Sequence, residues 1–154
     1  MPTRGYSIIA AEFNKALIED MIKTARGEME ACGLPLLRLL RVPGCYEVPL
    51  VAGIEIARPD VKGLIVLGYI ERGETLHGEV MGHVVHRVLV ELQLKVRKPI
   101  GLGIIGPGAT PAQAEVRKIG SAKAAVAAVQ QVADLLAGVA GPSRRRKPVA
   151  RRRI

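Results

Sequence analysis

The chain has 154 residues, 49% of them hydrophobic, which is enough for one domain with a proper core and too few for two. Tryptophan is absent and phenylalanine occurs once, so the core must come from Val, Ile, Leu and Ala, and two cysteines exclude both a disulfide framework and a four-cysteine zinc site. The net charge of +9 suggests a nucleic-acid binder only until it is located: residues 143–154, SRRRKPVARRRI, carry six Arg and one Lys with no acid, leaving the body at +2.

The run YSIIAAEF at 6–13 reads as a first strand. A helix follows over 14–33, where Ala16, Leu17, Met21, Ala25 and Met29 recur at helical spacing, Asn14 stands at the cap and Gly33 at the stop. PLLRLLRV is a second strand, and Pro43 and Pro49 bracket the turn PGCYEVP. LVAGIEIAR is a short helix closed by Pro59. VKGLIVLGY is a third strand, apolar throughout, as expected when both faces are covered. A long helix is predicted from His77 to Val96, a fourth strand at PIGLGIIG, and two closing helices at TPAQAEVRK and SAKAAVAAVQQVADLLAGVA.

No apolar run in this reading reaches the length of a membrane span. The first fourteen residues lack the basic start, apolar stretch and small-residue cleavage site of a secretory signal, so a cytoplasmic location is expected. Residues 1–140 form the expected single domain. Residues 141–154 form a basic tail read as disordered.

Strands alternate with helices through the whole body. The expected fold is therefore α/β: a three-layer αβα sandwich on a four-stranded parallel sheet, flavodoxin-like, with right-handed crossovers. Ligands of such sheets bind beyond the carboxyl ends of the strands. The loops leaving those ends are EFN, VPGCYEVP, YIERGETLH and GPGATP, and they hold the polar oddities of the body.

In RGETLH a glycine-rich turn enters a helix. Free backbone N–H groups and the helix dipole there favour an anion such as phosphate or carboxylate. Gly73 permits close approach and Thr75 adds a hydroxyl; His77 lies in the first turn, placed either to pass protons near neutral pH or simply to cap the helix. The Lys-Ser/Thr ending of a P-loop is missing. Glu47, held between prolines, either accepts hydrogen bonds from polyol hydroxyls or complements a helix dipole. Phe13 either stacks on a flat heterocycle or joins the core. Arg117 can fork onto phosphate. His83 and His86, at i and i+3, lack a further ligand on their helix face and are read as structural or interfacial.

Taken together, EFN at 12–14, VPGCYEVP at 42–49, GYIERGETLHGEV at 68–80 and QAEVR at 113–117 resemble the signatures of the lumazine synthase family, in order, over residues 6 to about 138. The resemblance implies condensation of 5-amino-6-(D-ribitylamino)uracil with 3,4-dihydroxy-2-butanone 4-phosphate to 6,7-dimethyl-8-ribityllumazine, a step of riboflavin biosynthesis needing no metal or redox cofactor. It makes Phe13 the residue that stacks on the pyrimidinedione, with Asn14 beside it. Glu47 matches the family acid that binds ribityl hydroxyls, and Cys45, standing where the family usually has Ser or Ala, would offer mainly its backbone. Tyr46, Ile70 and Leu102 complete the substrate-facing set. Gly73, Glu74 and Thr75 match the phosphate loop, His77 the proton-transfer histidine, and Arg117 the arginine that grips phosphate from a neighbouring subunit. Lys123 is loosely aligned with a later family lysine.

The resemblance also implies a homopentamer, alone, paired, or closed into an icosahedral shell. The short connection RKIGSAK argues against the insertion associated with free pentamers. Gly78, Glu71, Leu102 and Gly106 depart from the family pattern, and the loop after the fourth strand is one residue longer. These departures motivate an alternative: a non-catalytic flavin- or lumazine-binding or shell-forming relative whose basic tail binds RNA.

Overall fold

The computed structural model describes residues 3–139. The basic segment expected to be a tail lies outside them. In chain order the elements are β1 (Gly5–Ala11), α1 (Lys15–Ala31), β2 (Leu36–Val42), a single 3-10 turn at Cys45–Glu47, α2 (Val48–Ile56), β3 (Val61–Glu71), α3 (His77–Val96), β4 (Ile100–Ala109) and α4 (Pro111–Val139). All strand pairs are parallel, and the sheet order is β2-β1-β3-β4. The chain leaves β1 toward one edge for β2 and returns to the other side for β3. The topological switch therefore lies between β1 and β3, where this class of sheet opens a crevice.

The alternation of side chains along the strands feeds two cores. Ile8 and Ala10 of β1, with Ile65, Leu67 and Tyr69 of β3, pack against α1 and α4. Ile9 and Ala11, with Leu64, Val66 and Ile70, pack against α2 and α3. This is the three-layer sandwich expected from the sequence. Both faces of β3 are covered, which explains its unbroken apolar run.

Helix ends follow local chemistry. α1 stops in a Schellman motif: Gly33 takes φ +68°, its N–H reaches the Glu30 carbonyl at 3.1 Å and the Leu34 N–H reaches Met29 at 2.8 Å. Asn14 occupies the cap position of α1, but in the left-handed region and without a side-chain cap bond. Pro49 is inside α2, in its first turn, where a missing N–H costs nothing, so it starts the helix rather than closing the preceding turn. α4 opens on a capping box. The Thr110 hydroxyl accepts from Gln113 N–H at 3.3 Å, and Gln113 Oε1 accepts from Thr110 N–H at 3.0 Å.

The two predicted closing helices are one. Breaking α4 at Gly120–Ser121 would create two new ends with unpaired backbone groups, whereas a glycine in a helix costs only about 1 kcal/mol. The supposed connection RKIGSAK is thus helical. The joined helix of 29 residues is also long and apolar enough, by length and composition, to cross a membrane, contrary to the sequence reading. Here its inner face (Ala114, Ala122, Ala125, Val126, Val129) is buried against the sheet and α1. A Cβ on Gly101 would come within 2.1 Å of the Ala125 carbonyl oxygen, so that glycine lets α4 lie directly on β4.

β4 runs three residues beyond its predicted end. It does so through a bulge: Tyr69 pairs with Ile105 but Glu71 with Ala109. Gly106 and Gly108 take φ of +93° and +85°, and a Cβ on Gly106 would lie 2.3 Å from the Ile70 carbonyl oxygen. The offset places two extra residues on β4 here. At the amino ends of the strands Ser7 and Glu55 are buried together: Glu55 accepts from the Ser7 hydroxyl and from Arg38 Nε, each at 2.6 Å, and Arg38 also reaches Asp60 at 3.1 Å. That end of the sheet is closed by a satisfied polar network, and the opposite end opens.

Candidate active site

A cleft of about 380 Å³ opens at the carboxyl ends of β1 and β3, at the topological switch. Each wall comes from a loop leaving a strand. Phe13 follows β1; Pro43, Gly44 and Cys45 follow β2; Tyr69, Ile70 and Glu71 end β3; Gly73, Thr75, His77, Gly78 and Met81 run into α3. The walls are largely apolar with a few polar groups, the usual character of a small-molecule site.

Six of the residues singled out in the sequence line this cleft: Phe13, Cys45, Ile70, Gly73, Thr75 and His77. Phe13 is 50% exposed, its ring tilted 41° to that of Tyr69 at a centroid distance of 6.3 Å. Taken alone, a single aromatic there is more often core than stacking surface; the structure leaves its side chain half exposed. His77 is the first residue of α3 and is exposed. Its N–H points to the Thr75 hydroxyl at 3.4 Å, and its ring meets the edge of Tyr46 at 5.8 Å. The Gly78 and Glu79 N–H groups that follow have no helical acceptor, the ladder beginning with Val80 N–H to the Leu76 carbonyl at 2.9 Å. Together with the dipole of a 20-residue helix they form a surface suited to an anion.

The remaining candidates stand elsewhere. Tyr46 touches the cleft through His77. Glu47 is exposed at the start of α2, with its carboxylate over Gly44 at the rim: a Cβ there would lie 3.2 Å from Oε2. Asn14 and Glu74 are exposed beside the cleft without lining it. Leu102 is half-buried on β4 against the α2–α3 core. Arg117 is exposed on α4, donates to the Gln113 carbonyl at 3.2 Å, and lines a separate depression with Gly106, Val116 and Ser121. Lys123 is tied to Glu28 at 3.1 Å. A single copy of the chain therefore does not bring Arg117, Leu102 or Lys123 into the cleft.

The Cys45 thiol is 3% exposed. Burial pushes it up to about 11; a hydrogen bond from the Tyr69 backbone opposes this and the nearby Glu47 charge adds to it. The thiol is neutral and unreactive at physiological pH, so at this position it is a wall. Burial, helped by Glu71, also raises the Tyr69 phenol, which donates to the Ala109 carbonyl at 3.0 Å. Among the described residues no group of three or more His, Cys, Asp or Glu side chains is arranged to hold a metal ion.

Sequence reasoning passed over Tyr69, Met81 and Gly44. Tyr69 was hidden inside an apolar strand. Met81 carried a usable signal, since it lies four residues beyond His77 and so on the same helix face. Gly78 was noted as a departure, and its role is steric: a Cβ would lie 3.0 Å from the Glu71 carbonyl oxygen.

Residues 5–137 match the sequence model of one protein family, described as 6,7-dimethyl-8-ribityllumazine synthase. Proteins of that name resemble the chain over most of its length. The one from Staphylothermus marinus is 38% identical over 125 residues, covering 81% of this chain and 83% of its own. Those from Picrophilus torridus and Methanocaldococcus jannaschii are 36% and 35% identical, each over 84% of this chain and over 94% and 92% of their own.

Proposed function

The chain belongs to the 6,7-dimethyl-8-ribityllumazine synthase family, and from that premise we propose how its cleft carries out the reaction. The protein is a transferase of riboflavin biosynthesis. It condenses 5-amino-6-(D-ribitylamino)uracil with 3,4-dihydroxy-2-butanone 4-phosphate, releasing phosphate and water.

In the proposed assignment Phe13 stacks on the pyrimidinedione. Glu47 and the backbone around Cys45 take the ribityl chain, and the first turn of α3 with Gly73 and Thr75 takes the phosphate. The amine attacks the ketone and water leaves as the imine forms. Loss of a proton from the adjacent carbon expels phosphate and leaves an enol that becomes a carbonyl; the ribityl-bearing nitrogen closes the ring on that carbonyl, and a second water leaves. His77, beside the phosphate position, moves protons in these steps. Positioning two substrates and one modest acid–base group supply most of the acceleration such a reaction needs. The observation that carries the assignment is the convergence of Phe13, His77 and the 73–75 loop on one cleft.

Arg117 lies in a separate depression. We assign it to the phosphate of a neighbouring copy, which makes the working unit an oligomer; that this oligomer is at least a pentamer rests on the family resemblance. The exposed Leu50 and Ile54 of α2 and Val116 of α4 support a surface covered by another copy. RNA contact through the basic segment 143–154 rests on its charge alone, and salt-sensitive RNA retention by the full chain tests it.

The decisive experiment follows formation of the fluorescent lumazine from both substrates, with His77→Ala and Arg117→Ala alongside. Turnover above background, lowered in both variants, is expected. Mixing separately impaired Phe13→Ala and Arg117→Ala subunits, assayed at limiting aminouracil, should restore part of the activity. No turnover by folded, oligomeric protein would refute the assignment; no recovery on mixing would refute the shared site.

A further inference from the structure

Tyr69 is 2% exposed and stands where three parts of the site meet. Its side chain leaves β3 on the α1–α4 face, with Leu67 and Ile65. Its ring packs against Phe13 at 6.3 Å. Its hydroxyl donates to the Ala109 carbonyl at 3.0 Å, and the same oxygen accepts the Arg72 N–H at 2.9 Å. Both lone pairs of that carbonyl are thus used, one by the residue that opens the 72–76 loop and one by Tyr69.

Ala109 is a sensitive place to hold. It is where β4 rejoins the β3 register after the Gly106–Gly108 bulge. The bulge has two glycines at positive φ and borrows rigidity from its surroundings. The next residue, Thr110, caps α4, which carries Arg117 two turns later. A shift at Ala109 therefore displaces the 72–76 loop on one side and the start of α4 on the other. Phe13, by contrast, sits in a loop beyond β1 and feels only the ring.

We propose that Tyr69 is a positioning residue with two separable actions: its ring sets the face that Phe13 offers to the pyrimidine, and its hydroxyl sets the phosphate side through Ala109. The proposal rests on the assignment of Phe13 to the pyrimidine and of the 73–75 loop to phosphate. The two actions fall on different substrates, which a purely structural role would not produce.

The test uses the full chain in its native assembly and measures kcat and KM for each substrate with the other saturating. Tyr69→Phe keeps the ring and removes the hydroxyl. It should raise KM for 3,4-dihydroxy-2-butanone 4-phosphate about fivefold and leave that for the aminouracil within about twofold. Tyr69→Leu removes both and should also raise KM for the aminouracil about fivefold. Melting temperatures of both variants show that they fold. Equal losses on both substrates in Tyr69→Phe, or no loss on either, overturn the proposal. Phe13→Ala and Thr75→Val separate it from the assignment beneath it. If those two fail to weaken their own substrates, the assignment falls and the proposal with it. If they behave as assigned while Tyr69→Phe and Tyr69→Leu show no split between substrates, only the proposal falls.

Discussion

Replacing Phe13 by alanine probes the stacking surface most directly, and its size can be worked from exposure. The side chain is 50% exposed. A phenylalanine has roughly 200 Å² to bury, so about 100 Å² is free for a ligand. At about 25 cal/mol per Å², a flat ring covering all of it gains about 2.5 kcal/mol, and one covering less than half gains about 1 kcal/mol. The variant should therefore weaken aminouracil binding between about fivefold and about seventyfold. The covered half rests on Tyr69, so folding stability should also fall, by about 1 kcal/mol. Calorimetric titration with the lumazine product, with KM for each substrate, reads the binding term; thermal unfolding reads the folding term. A change below twofold in both affinity and KM, in folded protein, would refute the stacking role.

His77→Ala should lower kcat about a hundredfold or more with the fold intact, because the side chain is exposed and its ring contact is with the exposed Tyr46; stopped-flow fluorescence and a melting curve check both halves. Cys45 keeps its proton up to about pH 11 in the folded state, whereas an unfolded cysteine loses it near pH 9. Its burial thus supports the fold below pH 9, and that support is lost as pH rises from about 9 to about 11, by roughly 2–3 kcal/mol. Denaturation curves at pH 8 and pH 11 should show a smaller loss in Cys45→Ala. Thiol labelling at pH 8 should reach Cys32, which is half-buried, and spare Cys45. Glu55→Ala would leave the buried Ser7 hydroxyl without its acceptor and Arg38 with only Asp60, costing about 3 kcal/mol, seen as a lower urea midpoint at unchanged slope.

Much of this protein is determined by short-range pattern. The apolar run over Val61–Tyr69, the helical spacing after Asn14 and the glycine at 33 specify strand, helix and stop, because side-chain period and backbone φ are properties of a few residues at a time. Their alternation then dictates a parallel sheet and places the site beyond the strand ends, where Phe13, Gly73, Thr75 and His77 meet. Other features needed the assembled chain. Whether Gly120 breaks a helix depends on the energy of ends that the surrounding fold leaves unmade. Whether β4 ends at Gly106 depends on Ile70 and Tyr69, thirty-six and thirty-seven positions earlier in the chain. The work of Tyr69 was invisible because its partners, Phe13 and Ala109, lie 56 residues before it and 40 after it. Residue types and spacing carry local conformation and chemistry; which carbonyl a buried hydroxyl holds, and which side of a ring stays free, are decided by distances that exist only once the sheet has closed.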